Sequence, residues 1–329
     1  MTANCWLYSI FAPVDMNQKR IIGRYEGQHK GPLLICIGAM HGNEPAGVQA
    51  IDTVIKMLEV EPIRNPDFGY RGRLLGLVGN LQAYSQGKRY IHRDLNRSFE
   101  VGYLAQLQDR SPNSLSGEDR ELLELDTLIR AEIKAYRPER VILLDLHTTS
   151  SRGGIFTICR DKQEDLEIGA ALHAPIVLGM LKGLKGTTLH YFVSEILGVD
   201  IIPITFESGQ HEERMAVNRA VAGIISCMKA IDAIDADVVE NHHEQLLIRY
   251  CAPLPKVTEL IQVHPIAVDD GFKMNEGYEN FQEVKAGEVI AQDKNGPITI
   301  KEDCRILMPL YQTQGEDGFF LVKEIDRNI

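Results

Sequence analysis

The sequence predicts a mixed α/β fold, in which a largely parallel sheet is flanked by helices and followed by a smaller C-terminal β domain. Two observations support this prediction. Short apolar runs alternate with amphipathic helical segments from residue 31 to about residue 235, which is the rhythm of an α/β domain. Beyond a proline-containing connector at 250–256, short β-like runs are separated by Gly, Asp and Lys turns.

Four strands are predicted by runs rich in Val, Ile and Leu, a composition typical of strands that are buried on both faces. These runs cover residues 32–39, 72–79, 140–147 and 200–207. Amphipathic spacing predicts helices over residues 45–59, 117–136 and 211–232. Pro45 suits the first turn of its helix, because a proline there loses no hydrogen bond. Glu44 is therefore expected at a helix N-terminus.

The composition is that of a soluble, acidic protein. Asp and Glu outnumber Lys and Arg by 46 to 35, which gives a net charge of −11. This charge repels phosphate backbones and anionic membranes, so we expect neither nucleic acid nor a membrane as a partner. The first thirteen residues lack a basic lead and a small-residue cleavage site, and the six cysteines form no CxxC pair. We therefore expect a cytoplasmic protein.

Chemically active side chains follow three of the four predicted strands. His41 and Glu44 come after the first strand, His147 ends the third and Glu207 ends the fourth. In open α/β sheets, ligands bind at the carboxyl ends of the strands. Two histidines and one carboxylate are the ligands of a hydrolytic zinc site, and a further carboxylate such as Glu207 moves the proton. A structural histidine or a capping glutamate explains each residue taken singly, so the zinc hypothesis rests on their joint placement.

Asp145 precedes His147 by two residues and shares its face of the strand. Its carboxylate could accept a hydrogen bond from the imidazole and so orient the ring. An aspartate that caps the following turn is an equally good explanation.

A basic cluster follows the second strand, at residues 87–100. Guanidinium groups bind carboxylates in a bidentate manner and stabilise the oxyanion that forms when a carbonyl carbon is attacked. A solvated basic loop is the alternative, and it suits Lys88 and Arg93 better than Arg97. The four cationic residues of the cluster are Lys88, Arg89, Arg93 and Arg97.

Taken in order, these segments resemble the succinylglutamate desuccinylase/aspartoacylase family of zinc-dependent deacylases. The resemblance rests on the motifs HGNE (41–44), RYIHRDLNR (89–97), DLHTT (145–149) and FESG (206–209), and on the closing segment 304–320. It implies a zinc-carboxypeptidase-like catalytic domain at residues 1–252 and a β domain at 253–329 that covers the entrance to the active site.

The resemblance also implies the chemistry. One zinc ion per chain would be held by His41, Glu44 and His147. Glu207 would act as general base, and Arg89 would polarise the substrate carbonyl. The substrate would be a small N-acyl amino acid, whose carboxylate binds the two residues of the LNR motif, Asn96 and Arg97.

The acyl group and the amine remain open at this stage. Family members with aspartoacylase activity carry a substrate-binding tyrosine in the closing segment, where this sequence has Phe319 and Phe320. An arginine follows the second zinc histidine in the desuccinylases, and Arg152 lies near that position but not at it. The alternatives are a metallocarboxypeptidase acting on peptides, which the RDLNRSF segment also resembles, and an inactive binding protein of the same fold. A homo-oligomer is compatible with any of these.

Overall fold

The computed structural model describes residues 19–111, 114–236, 242–267, 269–327 and 329. Residues 1–18, on which part of the expectation of a cytoplasmic location rests, lie outside the described residues. Within the described ranges, the helices are all too short or too polar to cross a bilayer.

Strands and helices are interspersed up to residue 251, and strands alone follow among the described residues. The helices are α1 (Ala46–Arg64), α2 (Leu81–Ser85), α3 (Val101–Gln108), α4 (Gly117–Tyr136), α5 (Gln163–Ala171), α6 (Met180–Gly183), α7 (Thr188–Tyr191), α8 (Ser194–Leu197), α9 (Arg214–Ala230) and α10 (His242–Cys251), with a 3-10 turn at Leu95–Arg97. The strands are β1 (Ile21–Glu26), β2 (His29–Gly38), β3 (Arg71–Val78), β4 (Arg140–Thr149), β5 (Phe156–Ile158), β6 (Ile176–Leu178), β7 (Asp200–Gln210), β8 (Val257–Pro265), β9 (Lys273–Met274), β10 (Glu283–Val284), β11 (Val289–Asp293), β12 (Gly296–Thr299), β13 (Cys304–Leu307) and β14 (Asp317–Glu324).

The predicted fold class is confirmed. Strands β2, β3, β4 and β7 correspond to the four predicted strands, and α1, α4 and α9 correspond to the three predicted helices. The largest difference is at the end of α1, which continues to Arg64 rather than ending near residue 59. The predicted helix over 211–232 begins at Arg214, because Glu213 still has extended backbone angles.

An eleven-stranded sheet has the order β1-β3-β2-β4-β7-β5-β6-β8-β14-β13-β10, and β12, β11 and β9 form a separate three-stranded sheet. The central strands β3, β2, β4 and β7 are parallel, whereas β8, β14, β13 and β10 are antiparallel. Strand β8 pairs with β6, so the large sheet crosses residue 252. The domain boundary that we placed there remains a prediction.

The central strands are buried on both faces. Leu34 and Ile142 contribute to the core that contains residues of α1 and α9, and their neighbours Leu33 and Val141 contribute to the core that contains residues of α3 and α4. Consecutive side chains of a strand point to opposite faces. Helices on both faces therefore explain why these strands read as continuous apolar runs.

The first turn of α1 packs directly on the end of β2. A Cβ atom added to Gly38 would lie 2.5 Å from the backbone nitrogen of Val48 and 2.6 Å from the carbonyl carbon of Gly47. Only a hydrogen atom fits between these two backbones. The close approach holds the connecting loop, with His41 and Glu44, against the end of the sheet.

The variant Gly38→Ala should be less stable by about 1–3 kcal/mol, because the added methyl group must push α1 away from β2. We expect a lower urea midpoint for unfolding. Gly102→Ala is the matched control: Gly102 lies in α3, a Cβ there would meet nothing within 4 Å, and alanine is the better helix former. Equal midpoints for the two variants would contradict the close-packing explanation.

Candidate active site

The loop between β2 and α1 brings His41 and Glu44 together. The Glu44 amide donates a hydrogen bond to the carbonyl oxygen of His41 (3.1 Å), so the loop is a tight turn. Nδ1 of His41 lies 2.9 Å from Oε1 of Glu44. Both side chains are buried, and the spacing in HGNE thus places a ring nitrogen and a carboxylate oxygen side by side.

Strand β4 supplies the second histidine to the same carboxylate. Nδ1 of His147 lies 3.0 Å from Oε2 of Glu44, and the Thr148 amide donates to that same oxygen (3.0 Å). On the other side, His147 is paired in register with Glu207 of the neighbouring strand β7. Three segments that are distant in sequence therefore meet because β2, β4 and β7 are adjacent and parallel.

Two buried aspartates hold the outer nitrogens of the two imidazoles. Nε2 of His41 lies 3.1 Å from Oδ1 of Asp94, and Nε2 of His147 lies 3.1 Å from Oδ2 of Asp145. Such carboxylates orient the rings of metal-binding histidines. The position of Asp145 is the one that we considered from the sequence. Asp94 was missed, although it lies within the quoted RYIHRDLNR segment, two residues before Asn96.

These pairings shift the pKa values of the buried groups in the site. Burial opposes ionisation of Glu44, but its attraction to His41 and His147 is stronger, so the pKa of Glu44 is well below its usual value. Burial likewise opposes the charged form of His147, yet Asp145 and Glu44 raise its pKa well above its usual value. The pKa of Asp94 is well below its usual value because His41 and Arg89 outweigh its burial.

Glu207 behaves differently from the other carboxylates. Burial raises its pKa to about 8, with His147 opposing this effect and Glu44 adding to it. Its Oε2 atom is buried and has no hydrogen-bond partner among the described residues. A carboxyl group with a pKa near neutrality is suited to proton transfer.

Arg89 lies behind the same loop. Its Nη2 donates to Oδ2 of Asp94 (2.9 Å), and its Nη1 is 3.7 Å from Oε1 of Glu44. These carboxylates raise the pKa of the guanidinium although burial alone would lower it. Its Nε is buried without a hydrogen-bond partner among the described residues.

Asn96 and Arg97 lie in the 3-10 turn that follows. Oδ1 of Asn96 accepts a hydrogen bond from the Thr188 amide (3.1 Å), and its Nδ2 is 3.5 Å from Nε2 of His147. Arg97 donates to Oδ2 of Asp317 at the start of β14 (2.8 Å) and to the carbonyl oxygen of Asn96 (2.9 Å). The C-terminal segment thus reaches into the site.

The N-terminal turn of α4 anchors the basic loop. The Glu118 carboxylate accepts hydrogen bonds from the amides of Ile91 (2.6 Å) and His92 (3.2 Å). Asp119 forms an ion pair with Arg93. Arg93 therefore has a structural partner rather than a place in the site, and the acidic start of α4 determines the path of the loop that carries Arg89, Asp94 and Asn96.

One cavity of about 100 Å³ is lined by all seven residues that the sequence predicted, which are His41, Glu44, Arg89, Asn96, Arg97, His147 and Glu207. The C-terminal segment adds Gln312, Glu316, Asp317 and Phe320. Arg152 instead lines a separate surface depression with Glu212 and Glu213.

Known proteins resemble this chain along most of its length. The model of the succinylglutamate desuccinylase/aspartoacylase catalytic domain matches residues 30–231. A succinylglutamate desuccinylase of Pseudomonas fluorescens is 24% identical over 320 residues, covering 92% of this chain and 87% of that protein. A probable aspartoacylase of Nostoc sp. is 33% identical over 122 residues, and this match spans 37% of the length of each protein.

Solved structures share the fold. The succinylglutamate desuccinylase of Vibrio cholerae superimposes with a TM-score of 0.62 at 18% identity and covers 92% of this chain and 84% of that one. Murine aminoacylase 3 superimposes with a TM-score of 0.59 at 15% identity and covers 91% of this chain and 96% of that one.

Metal-free protein should show the raised pKa of Glu207 as a pH-dependent stability. In the unfolded chain this carboxyl titrates near its ordinary value of 4.5, and in the folded protein near 8. The folded protein therefore binds the proton more tightly, and the stability that this provides is lost as the pH rises from 4.5 through 8. Glu207→Gln cannot titrate. Urea unfolding of chelator-treated protein should show the wild type losing stability relative to Glu207→Gln between pH 6 and pH 9.

The control is Glu276→Gln, which removes an exposed carboxylate that does not line the cavity. Its stability relative to the wild type should change little over the same pH range. A difference between Glu207→Gln and the wild type that is the same at both pH values would contradict the raised pKa.

Proposed function

Because the chain belongs to the succinylglutamate desuccinylase/aspartoacylase family, we propose that it is a zinc-dependent amidohydrolase that cleaves the amide bond of a small N-acyl amino acid or a related compound. The observation that carries this proposal is the convergence of His41, Glu44 and His147. One ligand atom from each of these buried residues lies within 4.8 Å of the others. Glu207, the candidate base, is paired in register with His147.

The residues fit a catalytic zinc ion. Two imidazole nitrogens and one carboxylate are the ligands of many hydrolytic zinc sites, which keep a further position for water. The outer nitrogen of each imidazole is already held by Asp94 or Asp145. Oδ1 of Asp145 and Oε2 of Glu207 are buried without a hydrogen-bond partner among the described residues, so the site offers carboxylate oxygens that a bound cation would stabilise.

A zinc ion held by His41, Glu44 and His147 would supply a Lewis acid for the substrate carbonyl and would acidify a water molecule. Glu207 accepts the proton of the attacking water and transfers it to the leaving nitrogen. Its high pKa in the metal-free protein falls when a cation binds nearby, because the cation favours the carboxylate. Arg89 stabilises the negative charge that develops on the carbonyl oxygen, and we assign binding of the substrate to Asn96 and Arg97.

The small size of the cavity favours a small amide over a peptide. The cavity is about 100 Å³ and is bounded by the C-terminal segment through Gln312 and Asp317. A peptide would need a groove that extends past this wall. Metallocarboxypeptidase activity is therefore the second candidate, and peptides with a free C-terminus belong in the substrate panel.

His147→Ala should abolish stoichiometric zinc binding, because the variant removes one of three ligands and leaves Glu44 without one of its two imidazoles. Zinc content after dialysis, measured by atomic absorption, tests this. The control is His29→Ala, at the opposite end of β2 from His41 and exposed to solvent. Full zinc occupancy in His147→Ala would refute the proposed ligand set.

Glu207→Gln should retain zinc but reduce kcat for N-acyl amino acids about 10²- to 10⁴-fold, the usual contribution of a general base. The panel contains N-acetyl, N-succinyl and N-formyl amino acids together with C-terminal peptides. Release of the free amine is measured with a ninhydrin assay. Wild-type activity in zinc-loaded Glu207→Gln would eliminate its role as base, and turnover of peptides alone would favour the carboxypeptidase.

A further inference from the structure

The guanidinium group of Arg97 is already occupied on the cavity wall. Nη2 donates to Asp317 (2.8 Å) and Nη1 donates to the carbonyl oxygen of Asn96 (2.9 Å). The ion pair with Asp317 is largely buried, with 19% and 15% of the two side chains exposed. A substrate carboxylate would therefore have to displace Asp317 before it could bind both terminal nitrogens of Arg97.

Glu316 adds a second negative charge beside this pair. It lines the cavity. Among the described residues, its carboxylate forms no hydrogen bond or ion pair. Partial burial and the negative charge of Asp94 raise the pKa of Glu316, and the positive charge of Arg97 offsets this rise only in part. A cation bound in the cavity would relieve this repulsion.

The charges around the cavity are predominantly negative. The lining residues, together with the two aspartates behind the histidines, carry six carboxylates and only two guanidinium groups. The guanidinium groups belong to Arg89 and Arg97. The carboxylates belong to Glu44, Asp94, Asp145, Glu207, Glu316 and Asp317. With a divalent metal ion bound, Glu207 ionised and both imidazoles neutral, two of the four excess negative charges would remain. A substrate with several carboxylates would be repelled, because like charges in a poorly solvated cavity interact strongly.

One wall of the cavity is apolar. It is formed by Ile158, Leu181, Leu184, Leu189 and Phe320, which belong to the same hydrophobic cluster. Such a surface can pack against methylene groups. The cavity thus combines an aliphatic wall with a carboxylate that has no cation of its own.

On this basis we infer, as an extension of the proposed function, that the amine half of the substrate is an aliphatic chain ending in an ammonium group, as in an N-acylated diamine or diamino acid. The amide lies at the His41, Glu44 and His147 cluster, the methylene groups lie on the apolar wall, and the ammonium group binds Glu316. Asp317 serves as a specificity-determining residue, since it occupies the guanidinium group that an anionic substrate would need.

Four N-acetyl substrates of matched length test this inference with zinc-loaded protein. Nα-acetylornithine, Nα-acetylnorleucine and N-acetylglutamate have side chains of equal length that end in a cation, a methyl group and an anion, respectively. N-acetylputrescine lacks the α-carboxylate. We expect kcat/KM for a substrate with an ammonium group to exceed that for N-acetylglutamate by more than about tenfold.

Glu316→Gln should reduce the preference for acetylornithine over acetylnorleucine about fivefold or more, mainly through KM, since an ion pair contributes to binding of the cation. Glu276→Gln removes the same charge outside the cavity and should leave this preference unchanged. Asp317→Asn releases Arg97 and should raise kcat/KM for N-acetylglutamate.

The outcomes separate the two proposals. Turnover of acetylnorleucine or acetylglutamate at least as fast as that of both ammonium substrates overturns the inference about the cation and leaves the amidohydrolase proposal standing. An unchanged preference in Glu316→Gln also overturns it. Absence of turnover for all four substrates and for the wider N-acyl panel overturns both.

Discussion

The Glu44 carboxylate is the contact on which the rest of the site depends. It lies 2.9 Å from His41 and 3.0 Å from His147, and it accepts the Thr148 amide. It therefore joins the loop after β2 to the end of β4. Its attraction to the two imidazoles outweighs the cost of burying its charge, which is the condition under which a carboxylate can remain ionised inside a protein.

A second layer of carboxylates supports this contact. Asp94 and Asp145 orient the two imidazoles, and Asp94 also binds Arg89. Arg89 in turn lies on a loop whose backbone amides are held by Glu118 from α4. The orientation of each imidazole ring thus depends on groups outside the His41, Glu44 and His147 cluster, because a ring is held in one orientation only when its second nitrogen is also bound.

The C-terminal segment contributes two carboxylates and an apolar side chain to the cavity. Asp317 forms the ion pair with Arg97, and Glu316 and Phe320 lie beside it. These strands continue the large sheet through the pairing of β6 with β8. This strand pairing thereby brings the carboxylates of Glu316 and Asp317 next to the guanidinium group of Arg97, which would otherwise be free on the cavity wall.

Much of the fold and many of the lining residues were accessible from the sequence alone. Apolar runs identify β2, β3, β4 and β7 because they are buried on both faces, and residues that follow such strands must meet at one edge of a parallel sheet. This reasoning located His41, Glu44, His147 and Glu207. Only the tertiary structure decided what surrounds them. Asp94 beside His41, Glu118 beneath the basic loop and Asp317 on Arg97 are contacts between segments distant in the chain, and their geometry depends on how strands and helices pack rather than on any local pattern.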